Sequence, residues 1–241
     1  MIPFPPLVEA RLLRRENRFR AVAQLPDGRE VAVHVANSGR MHEVFAGAQR
    51  RAWLAQAHNP RRKTPYDLVL VEGDHGALIS VDSRLPNRLF ADALAAGRFD
   101  AWLGRPAGDW RVQPEPRVGE GRLDFLLEAA VGLRWWIETK SITLVENGVA
   151  LFPDAPTTRG RRHLSDLCRL VRQGDRAAVV FIAQRSDAAA FAPHPTADPD
   201  FPVALQQAAA CGVDVLAYRC RVSLEGIALD ERLEALLKVE L

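Results

Sequence analysis

Two acidic residues and one lysine come together on a predicted β-hairpin that spans residues 122–144. Two apolar runs flank a short break, and if the turn takes three residues, Ala129 pairs with Leu133. Counting back along the ladder then places Asp124 directly opposite Glu138. Residues opposed in this way share one face of a sheet and have Cβ atoms roughly 5 Å apart. We therefore expect the two carboxylates to be close neighbours.

Adjacent carboxylates repel each other unless a positive charge lies between them. A hard divalent cation such as Mg²⁺ or Mn²⁺ would supply that charge, because it binds carboxylate oxygens and keeps several of its waters. Asp124 and Glu138 are the predicted ligands, and the carbonyl of Thr139 can add another. Lys140 shares a face with Glu138, since side chains alternate along a strand. This set predicts metal-assisted attack of water on a phosphodiester, with Asp124, Glu138 and Lys140 as catalytic residues.

An acidic residue two positions before a lysine is a weak pattern on its own. Its structural explanation is a Glu–Lys pair on a solvated sheet face, with Asp124 as a residue that starts a strand. The setting is more informative, because only three of the 32 Lys and Arg residues are lysines, and Lys140 lies inside an apolar strand. Lysine and arginine are not interchangeable where a compact point charge is needed.

Short strands with tight turns fill residues 1 to about 80, and this pattern predicts a small barrel of the OB type. Such barrels often bind single strands of nucleic acid through a basic groove with aromatic side chains. The candidate groove residues are Arg18, Phe19, Arg20, Arg40, Arg61, Arg62, Lys63 and Tyr66. Any one of these arginines is better explained as part of a solvated loop, so the prediction concerns the cluster and not its single members.

A second basic cluster lies at a predicted helix N-terminus. Thr157 or Thr158 can cap this helix, and Arg159 and Arg161 fall in its first turn. Cations in a first turn oppose the helix dipole, and this cost suggests that they bind an anion such as a neighbouring phosphate. His163 lies near the edge of the apolar stripe of the same helix. Most histidines in such a position are structural, but it is also a candidate for contact with nucleic acid.

The remaining sequence alternates between helical and extended patterns. Helices are predicted at 85–97, 157–174, 201–211 and 229–238, and strands at 177–183 and 214–222. Together with the hairpin, this order predicts a mixed sheet covered by helices. The change of period places a domain boundary near residue 82, so we expect an α+β chain with domains at 1–82 and 83–241.

The hairpin also carries a family resemblance. An Asp on one strand and Glu-x-Lys on the next resembles the PD-(D/E)xK nuclease superfamily. The wider chain resembles the sugar fermentation stimulation protein A family, which is described as DNA-binding or as a DNA/RNA nuclease. The matching stretches are VHVANSGRM (33–41), RKTPYDLVLVE (62–72), ISVDSRLPNRL (79–89), RLDFLL (122–127), ETKSITL (138–144) and FPDAPTTRGRRHL (152–164).

The resemblance implies an OB-fold-like, nucleic-acid-binding domain over residues 1–82. It implies a restriction-endonuclease-like α/β domain, with a mixed sheet and flanking helices, over residues 83–241. Nucleases of this fold often take a further acid from a preceding helix. Glu115 and Glu120 precede the hairpin, but neither lies on an evident helix, so that role stays open.

Composition limits the classes of protein to consider. No run of 18 apolar residues occurs, so we expect no membrane-spanning helix. The N-terminus lacks the basic start and long apolar core of a signal peptide. The three cysteines form no Cys-x-x-Cys pair, so neither a disulfide framework nor a zinc knuckle is predicted, and the cytoplasm is the simplest location. A net charge of +2 does not by itself demand nucleic acid as a partner.

Two functions compete at this point. The first is a metal-dependent DNA or RNA nuclease, for which a homodimer is one expected state. The second is a non-catalytic DNA-binding regulatory protein that uses the same surface and acts by occupancy, for example on genes of sugar metabolism. Two close carboxylates without a metal would repel a polyanion, which favours the enzyme. Phosphate-binding loops, nucleophile elbows and His-Glu-x-x-His helices do not occur in the sequence.

Overall fold

The first third of the chain folds as a closed barrel. The computed structural model describes residues 1–45, 49–59 and 61–237. The N-terminal elements are β1 (Ile2–Pro3), β2 (Leu7–Asn17), β3 (Arg20–Gln24), β4 (Glu30–His34), α1 (His42–Phe45), β5 (Arg51–Gln56), β6 (Tyr66–Glu72) and β7 (Leu78–Ser80). Strands pair in the order β4-β3-β2-β5-β6, and parallel pairing of Val33 with Tyr66 joins β4 to β6 and closes the ring. The predicted OB-type barrel is confirmed.

The sequence does not predict β2, although it is the longest strand of the barrel. Charged residues such as Glu9, Arg11 and Arg14 dominate it, and most of its side chains are exposed. Only Ala10 and Leu12 are buried in its length. Pairing with β3 on one side and β5 on the other therefore stabilises the strand more than its own apolar pattern does.

The second part of the chain forms a mixed sheet. Its elements are α2 (Leu85–Ala95), α3 (Asp100–Leu103), β8 (Trp110–Pro114), β9 (Arg117–Val118), β10 (Gly121–Arg122), β11 (Phe125–Ala129), β12 (Arg134–Ile142), β13 (Val145–Glu146), β14 (Val149–Phe152), α4 (Thr158–Arg172), β15 (Arg176–Ala183), β16 (Ala190–Pro193), α5 (Asp200–Ala210), β17 (Asp214–Val222), β18 (Gly226–Arg232) and β19 (Glu234–Ala235). In the described residues the main sheet has the strand order β1-β18-β17-β15-β12-β11-β8. Strands β12, β15 and β17 are parallel, and their neighbours at both ends are antiparallel.

Helices cover both faces of this sheet. Leu89 and Phe90 of α2 pack in one core cluster with Ile137. On the other face, Leu164 of α4 packs in a second cluster with Trp136. Alternation along β12 thus directs its side chains by turns to α2 and to α4. The predicted fold class, with a barrel followed by a helix-covered mixed sheet, is confirmed.

The hairpin has the predicted register. Phe125 pairs with Ile137, and Leu126 pairs with Trp136. The registered ladder ends at Phe125, and the backbone N–H of Asp124 donates to the carbonyl of Ile137 at 3.1 Å, so the direct pairing of Asp124 with Glu138 stays a prediction. A turn of three residues after Ala129, with the Ala129 amide donating to Leu133, sets this register.

The predicted terminal helix at 229–238 is wrong over its described part. β18 occupies Gly226–Arg232 and pairs with both β17 and β1, and β19 follows. Ile227 and Leu229 are buried two positions apart, which is the period of a strand. The Leu, Glu and Ala residues that favour a helix are overridden by pairing at the sheet. Residue 238 lies outside the described residues.

The N-terminus returns to the second sheet. Ile2 of β1 pairs with Ile227 of β18, so the first strand of the chain belongs to the sheet and not to the barrel. The division into domains 1–82 and 83–241 remains a prediction. Among the helices of the described residues, none is both long and apolar enough to span a membrane.

Candidate active site

The carboxylate of Asp124 lies against the edge of β12 at Thr139, on the side where no strand pairs with it in the described residues. One of its oxygens accepts the backbone N–H of Thr139 at 2.7 Å and lies 2.9 Å from the Thr139 hydroxyl. The other oxygen accepts the side-chain amide of Asn87 at 2.9 Å. Asn87 comes from the first turn of α2, on the face of the sheet to which Thr139 also points. Strand β11 begins only at Phe125, so this stretch of the β12 edge is open to the site.

Thr139 presents its backbone to this open edge. In an extended strand the N–H and C=O of one residue point to the same side. Since the N–H of Thr139 donates to Asp124, its carbonyl lies on the Asp124 side as well. The predicted third ligand therefore has the required orientation.

Glu138 lies on the opposite face, under α4, and is 4% exposed. Its Oε1 accepts hydrogen bonds from Lys140 Nζ and His163 Nδ1. Arg159 Nε donates to His163 Nε2 at 3.4 Å, so Nε2 is an acceptor and the ring proton of a neutral His163 is on Nδ1. The other carboxylate oxygen of Glu138, Oε2, is buried and has no hydrogen-bond partner among the described residues.

The two carboxylates have pKa shifts of opposite sign. Burial raises the pKa of Asp124, and the nearby negative charge of Glu138 raises it further, against the hydrogen bonds from Thr139 and Asn87. Burial also acts to raise the pKa of Glu138, but the charge of Lys140 and the contact with His163 outweigh it and the pKa is lowered. Glu138 is thus held ionised, and an ionised Asp124 beside it lacks a full counter-charge.

These features fit a divalent cation. The unpartnered Glu138 Oε2, the Asp124 carboxylate and the Thr139 carbonyl are hard oxygen donors, which Mg²⁺ and Mn²⁺ prefer. Within the described ranges, no three His, Cys, Asp or Glu side chains gather into a complete set of metal ligands. Two carboxylates and one carbonyl leave positions for water, as is usual for Mg²⁺.

The carboxylates lie in a cavity of about 900 Å³ between the barrel and the second sheet, which we name the acidic cavity. Asp124, Glu138, Thr139 and Lys140 line it together with residues of both parts of the chain. Four exposed arginines line its walls: Arg84 pairs with Asp82 at 2.6 Å, and the other three are Arg18, Arg88 and Arg159. In the part of the chain that the structure describes, none of the three has a carboxylate within 4 Å. The cavity thus combines two neighbouring carboxylates with unneutralised arginines.

The predicted basic residues do not all meet at this cavity. Arg18 and Arg159 line it, and Arg40 lines a neighbouring cavity. Arg20 pairs with Glu16 and Arg62 pairs with Asp67 at 2.8 Å. The remaining candidates of the barrel lie outside both cavities: Arg61 and Lys63 are exposed on a loop, Phe19 is exposed beside Arg18, and Tyr66 is half-buried on β6. Their roles in binding remain predictions.

Arg161 pairs with a buried carboxylate and does not face the acidic cavity. Its guanidinium contacts both oxygens of Asp198 at 2.5 and 2.6 Å, and Asp198 is 1% exposed. Asp198 also accepts the backbone N–H of Thr157, the residue that caps α4 through its hydroxyl. The geometry ties Arg161 to the start of the helix and not to the cavity.

We expect Arg161→Ala to destabilise the protein by about 2 kcal/mol or more, because it leaves Asp198 buried without its counter-charge. Its affinity for an oligonucleotide should stay within about 2-fold of the parent once folding is confirmed, which is a difference of roughly 0.4 kcal/mol. Arg162→Ala, an exposed neighbour on the same helix, is the control and should change stability by about 0.5 kcal/mol at most. Urea unfolding and fluorescence anisotropy measure the two quantities. A large loss of affinity at unchanged stability would contradict this assignment.

Sequence reasoning did not assign Asn87 or Arg88 to the site. Both lie in the first turn of α2, which the sequence does predict as a helix. The sequence does not predict where this helix packs. In the structure it lies over the end of β11, where Asn87 contacts Asp124. Glu115 also lines the cavity, but it pairs with Arg122 at 2.8 Å.

Comparison with known proteins agrees with these features. The sugar fermentation stimulation protein RE domain matches residues 84–226, and the SfsA N-terminal OB domain matches residues 13–81. A sugar fermentation stimulation protein homolog from Moorella thermoacetica is 45% identical over 226 residues, covering 92% of this chain and 94% of the relative. A homolog from Geobacter sulfurreducens is 42% identical, covering 96% of this chain and 97% of its own.

A solved structure is similar over nearly the whole length. The structure of Pyrococcus furiosus SfsA in complex with Ca²⁺ has a TM-score of 0.86 and 31% sequence identity, covering 97% of each chain. The two domain matches and the identity and coverage of the relatives show that this chain belongs to the sugar fermentation stimulation protein family.

Proposed function

We propose that this protein is a divalent-metal-dependent nuclease that hydrolyses phosphodiester bonds of DNA or RNA. The observation that carries the proposal is the paired carboxylates of Asp124 and Glu138, with Glu138 Oε2 buried and unpartnered in the described residues, in a cavity with three unneutralised arginines. Carboxylates bind cations, whereas arginines bind anions such as phosphate. A ligand that consists of a metal ion and a polyanion uses both.

Asp124, Glu138 and the carbonyl of Thr139 would hold the cation, which we expect to be Mg²⁺ or Mn²⁺. When bound, such an ion supplies charge neutralisation at the phosphate and a lowered pKa for water. The structure of the Pyrococcus furiosus relative with Ca²⁺ supports a divalent site in the family fold. Asn87 positions Asp124 by donating to one carboxylate oxygen, which leaves the second oxygen to the Thr139 side.

Lys140 would act on the reacting phosphate. Its Nζ is a triple donor, and one of its protons is used by Glu138. The others can donate to the attacking water or to the oxygens that gain negative charge in the transition state. Arg159 uses Nε for His163, so its terminal nitrogens remain for a neighbouring phosphate.

The competing proposal, a DNA-binding regulatory protein without catalysis, accounts less well for the acids. A surface that only binds a polyanion has no need of two buried carboxylates at its centre, since they repel phosphate when no cation is present.

The proposal is tested by incubating labelled DNA and RNA, single- and double-stranded, with Mg²⁺, Mn²⁺ or EDTA. We expect cleavage that requires the metal and stops with EDTA. A protein that binds oligonucleotides but cleaves none of the four substrates with either ion would favour the regulatory function instead.

A further inference from the structure

A second cavity continues the acidic cavity toward the barrel. It has a volume of about 550 Å³, and we name it the barrel cavity. The two cavities share five lining residues: Arg18, Ser38, Gly39, Ala155 and Pro156. A shared wall of this size makes them one groove, which runs from the carboxylates past the β2–β3 turn.

Three arginines and one histidine line the barrel cavity: Arg15, Arg18, Arg40 and His42. Arg18 and Arg40 are exposed, and within the described residues neither has a carboxylate within 4 Å. The acid in this cavity, Glu16, is already paired with Arg20. Two arginines in series along a groove match the repeating charge of a nucleic-acid backbone.

The shape of the groove is fixed by Arg15. Its guanidinium donates to the carbonyls of Arg18 at 2.7 Å and Gly39 at 2.9 Å, and also to that of Arg40. The barrel contacts the loop after β14 at the same place, because the amide of Met41 donates to Asp154 at 3.1 Å. A Cβ on Gly39 would overlap the same carboxylate, so the two parts touch closely. The groove is therefore preformed and not opened by a ligand.

The burial of the site favours an unpaired strand over a duplex. Glu138 is 4% exposed and Thr139 is 6% exposed, so the reacting phosphate must reach the floor of the acidic cavity. A duplex is stiff and holds its two backbones outside the paired bases, whereas an unpaired strand can bend. Phe19, which follows Arg18 in the chain and is 49% exposed outside both cavities, offers a face on which a base can stack.

We propose that one unpaired strand of nucleic acid occupies this groove, with its reacting phosphate in the acidic cavity and its chain running past Arg18 to Arg40. The proposal rests on the proposed function for the identity of the reacting group, but the path of the strand can be tested without any cleavage. The chain on one side of the reacting phosphate then has to extend over the barrel, so productive binding needs a strand of about four nucleotides or more.

The test is fluorescence anisotropy with full-length Asp124→Asn protein, which prevents cleavage, and labelled unpaired or duplex oligonucleotides of about 12 nucleotides, a length within the usual site sizes of OB folds. Arg40→Glu and Arg18→Glu are added singly. Arg11→Glu is the matched control, because Arg11 is an exposed arginine on β2 of the same barrel and lines neither the acidic cavity nor the barrel cavity. Circular dichroism melting checks that each variant is folded.

We expect the unpaired strand to bind at least about 10-fold more tightly than the duplex, which corresponds to roughly 1.4 kcal/mol. Arg40→Glu and Arg18→Glu should each weaken binding of the strand by about 10-fold and reduce its salt dependence by about 0.7 in the logarithmic slope, as loss of one phosphate contact predicts. Arg11→Glu should stay within about 2-fold of the parent. Equal binding of duplex and strand, or an Arg40→Glu variant that behaves like Arg11→Glu, would overturn the proposal.

Hydrolysis of the small diester bis(p-nitrophenyl) phosphate by protein with intact Asp124 separates the two proposals. If the parent hydrolyses this diester and the binding results are as expected, the strand path and the nuclease both stand. If the parent cleaves neither the diester nor the oligonucleotide while the binding results are as expected, the strand path stands and the nuclease fails.

Discussion

Asp124→Asn should lower the rate of phosphodiester cleavage by about 10³-fold, which is roughly 4 kcal/mol of transition-state stabilisation. The substitution keeps the shape of the side chain but removes the negative charge that the cation requires. Glu138 would then be the only carboxylate left to hold the metal, with one oxygen already used by Lys140 and His163.

The same substitution should stabilise the metal-free protein. Burial and the charge of Glu138 raise the pKa of Asp124, so its ionised form is unfavourable in the fold. The side-chain amide introduced by Asp124→Asn can replace the carboxylate with every hydrogen bond kept if the amide of Asn87 flips. The new amide then donates to Asn87 Oδ1, Asn87 Nδ2 donates to the Thr139 hydroxyl, and the Thr139 N–H keeps its acceptor.

The sign of this gain depends on pH. A carboxyl group with a raised pKa costs nothing below its unfolded value of 3.8, where it is protonated in both states. The cost grows as pH rises and is complete above the folded pKa. Asp124→Asn should therefore match the parent in stability near pH 3 and exceed it at neutral pH, in the presence of EDTA.

Urea unfolding in EDTA and a cleavage assay with Mn²⁺ measure the two effects. Saturating Mn²⁺, at about 100 times its dissociation constant, should stabilise the parent by about 2.7 kcal/mol and Asp124→Asn by much less. Glu128→Gln is the control, because Glu128 lies on β11, four residues after Asp124, and outside the cavity. Unchanged cleavage by Asp124→Asn would show that Asp124 is not a metal ligand. A variant that is less stable than the parent in EDTA would show that the ionised Asp124 does not destabilise the metal-free protein.

Local patterns were sufficient for the parts of the site that lie on one hairpin. The turn length sets the ladder from the pair Glu128 and Arg134 to the pair Phe125 and Ile137, and this register brings Asp124 next to the segment of β12 that carries Glu138 and Thr139. The cap of α4 by Thr157 is equally local, because a hydroxyl and an amide three residues apart decide it. Each depends on neighbours within one or two elements.

Contacts between distant elements were not predictable in this way. Asn87 reaches Asp124 from 37 residues away, and the acidic cavity joins Arg18 of the barrel to the second sheet. Arg161 looks like an anion-binding residue until its partner Asp198, 37 residues later in the chain, is seen. Strand β18 shows the same limit, since its pairing with both β17 and β1 decides against the helix that its composition favours.

Lys140→Met should destabilise the protein by about 3 kcal/mol at neutral pH, because it leaves Glu138 buried with only His163 as a partner. It should also lower kcat by about 10²- to 10³-fold, the usual cost of losing one donor to developing negative charge. The first effect arises from the pair itself. The destabilisation caused by Lys140→Met should therefore fall to about 1 kcal/mol when Glu138 is made neutral by Glu138→Gln. The double-mutant cycle then gives a coupling energy of about 2 kcal/mol.

The pH dependence separates this pair from a simple loss of packing. Lys140 and His163 lower the pKa of Glu138 below its usual 4.5 despite burial, so the stability that the ionised Glu138 contributes is complete above 4.5 and is lost as pH falls through the folded value. The cost of Lys140→Met should follow this contribution, and so should be larger at pH 7 than near pH 3. Urea unfolding of the parent, both single variants and the double variant at the two pH values measures the cycle. A cost that is the same at both pH values and in the Glu138→Gln background would mean that Lys140 stabilises the fold by packing, and that its charge is held for the substrate alone.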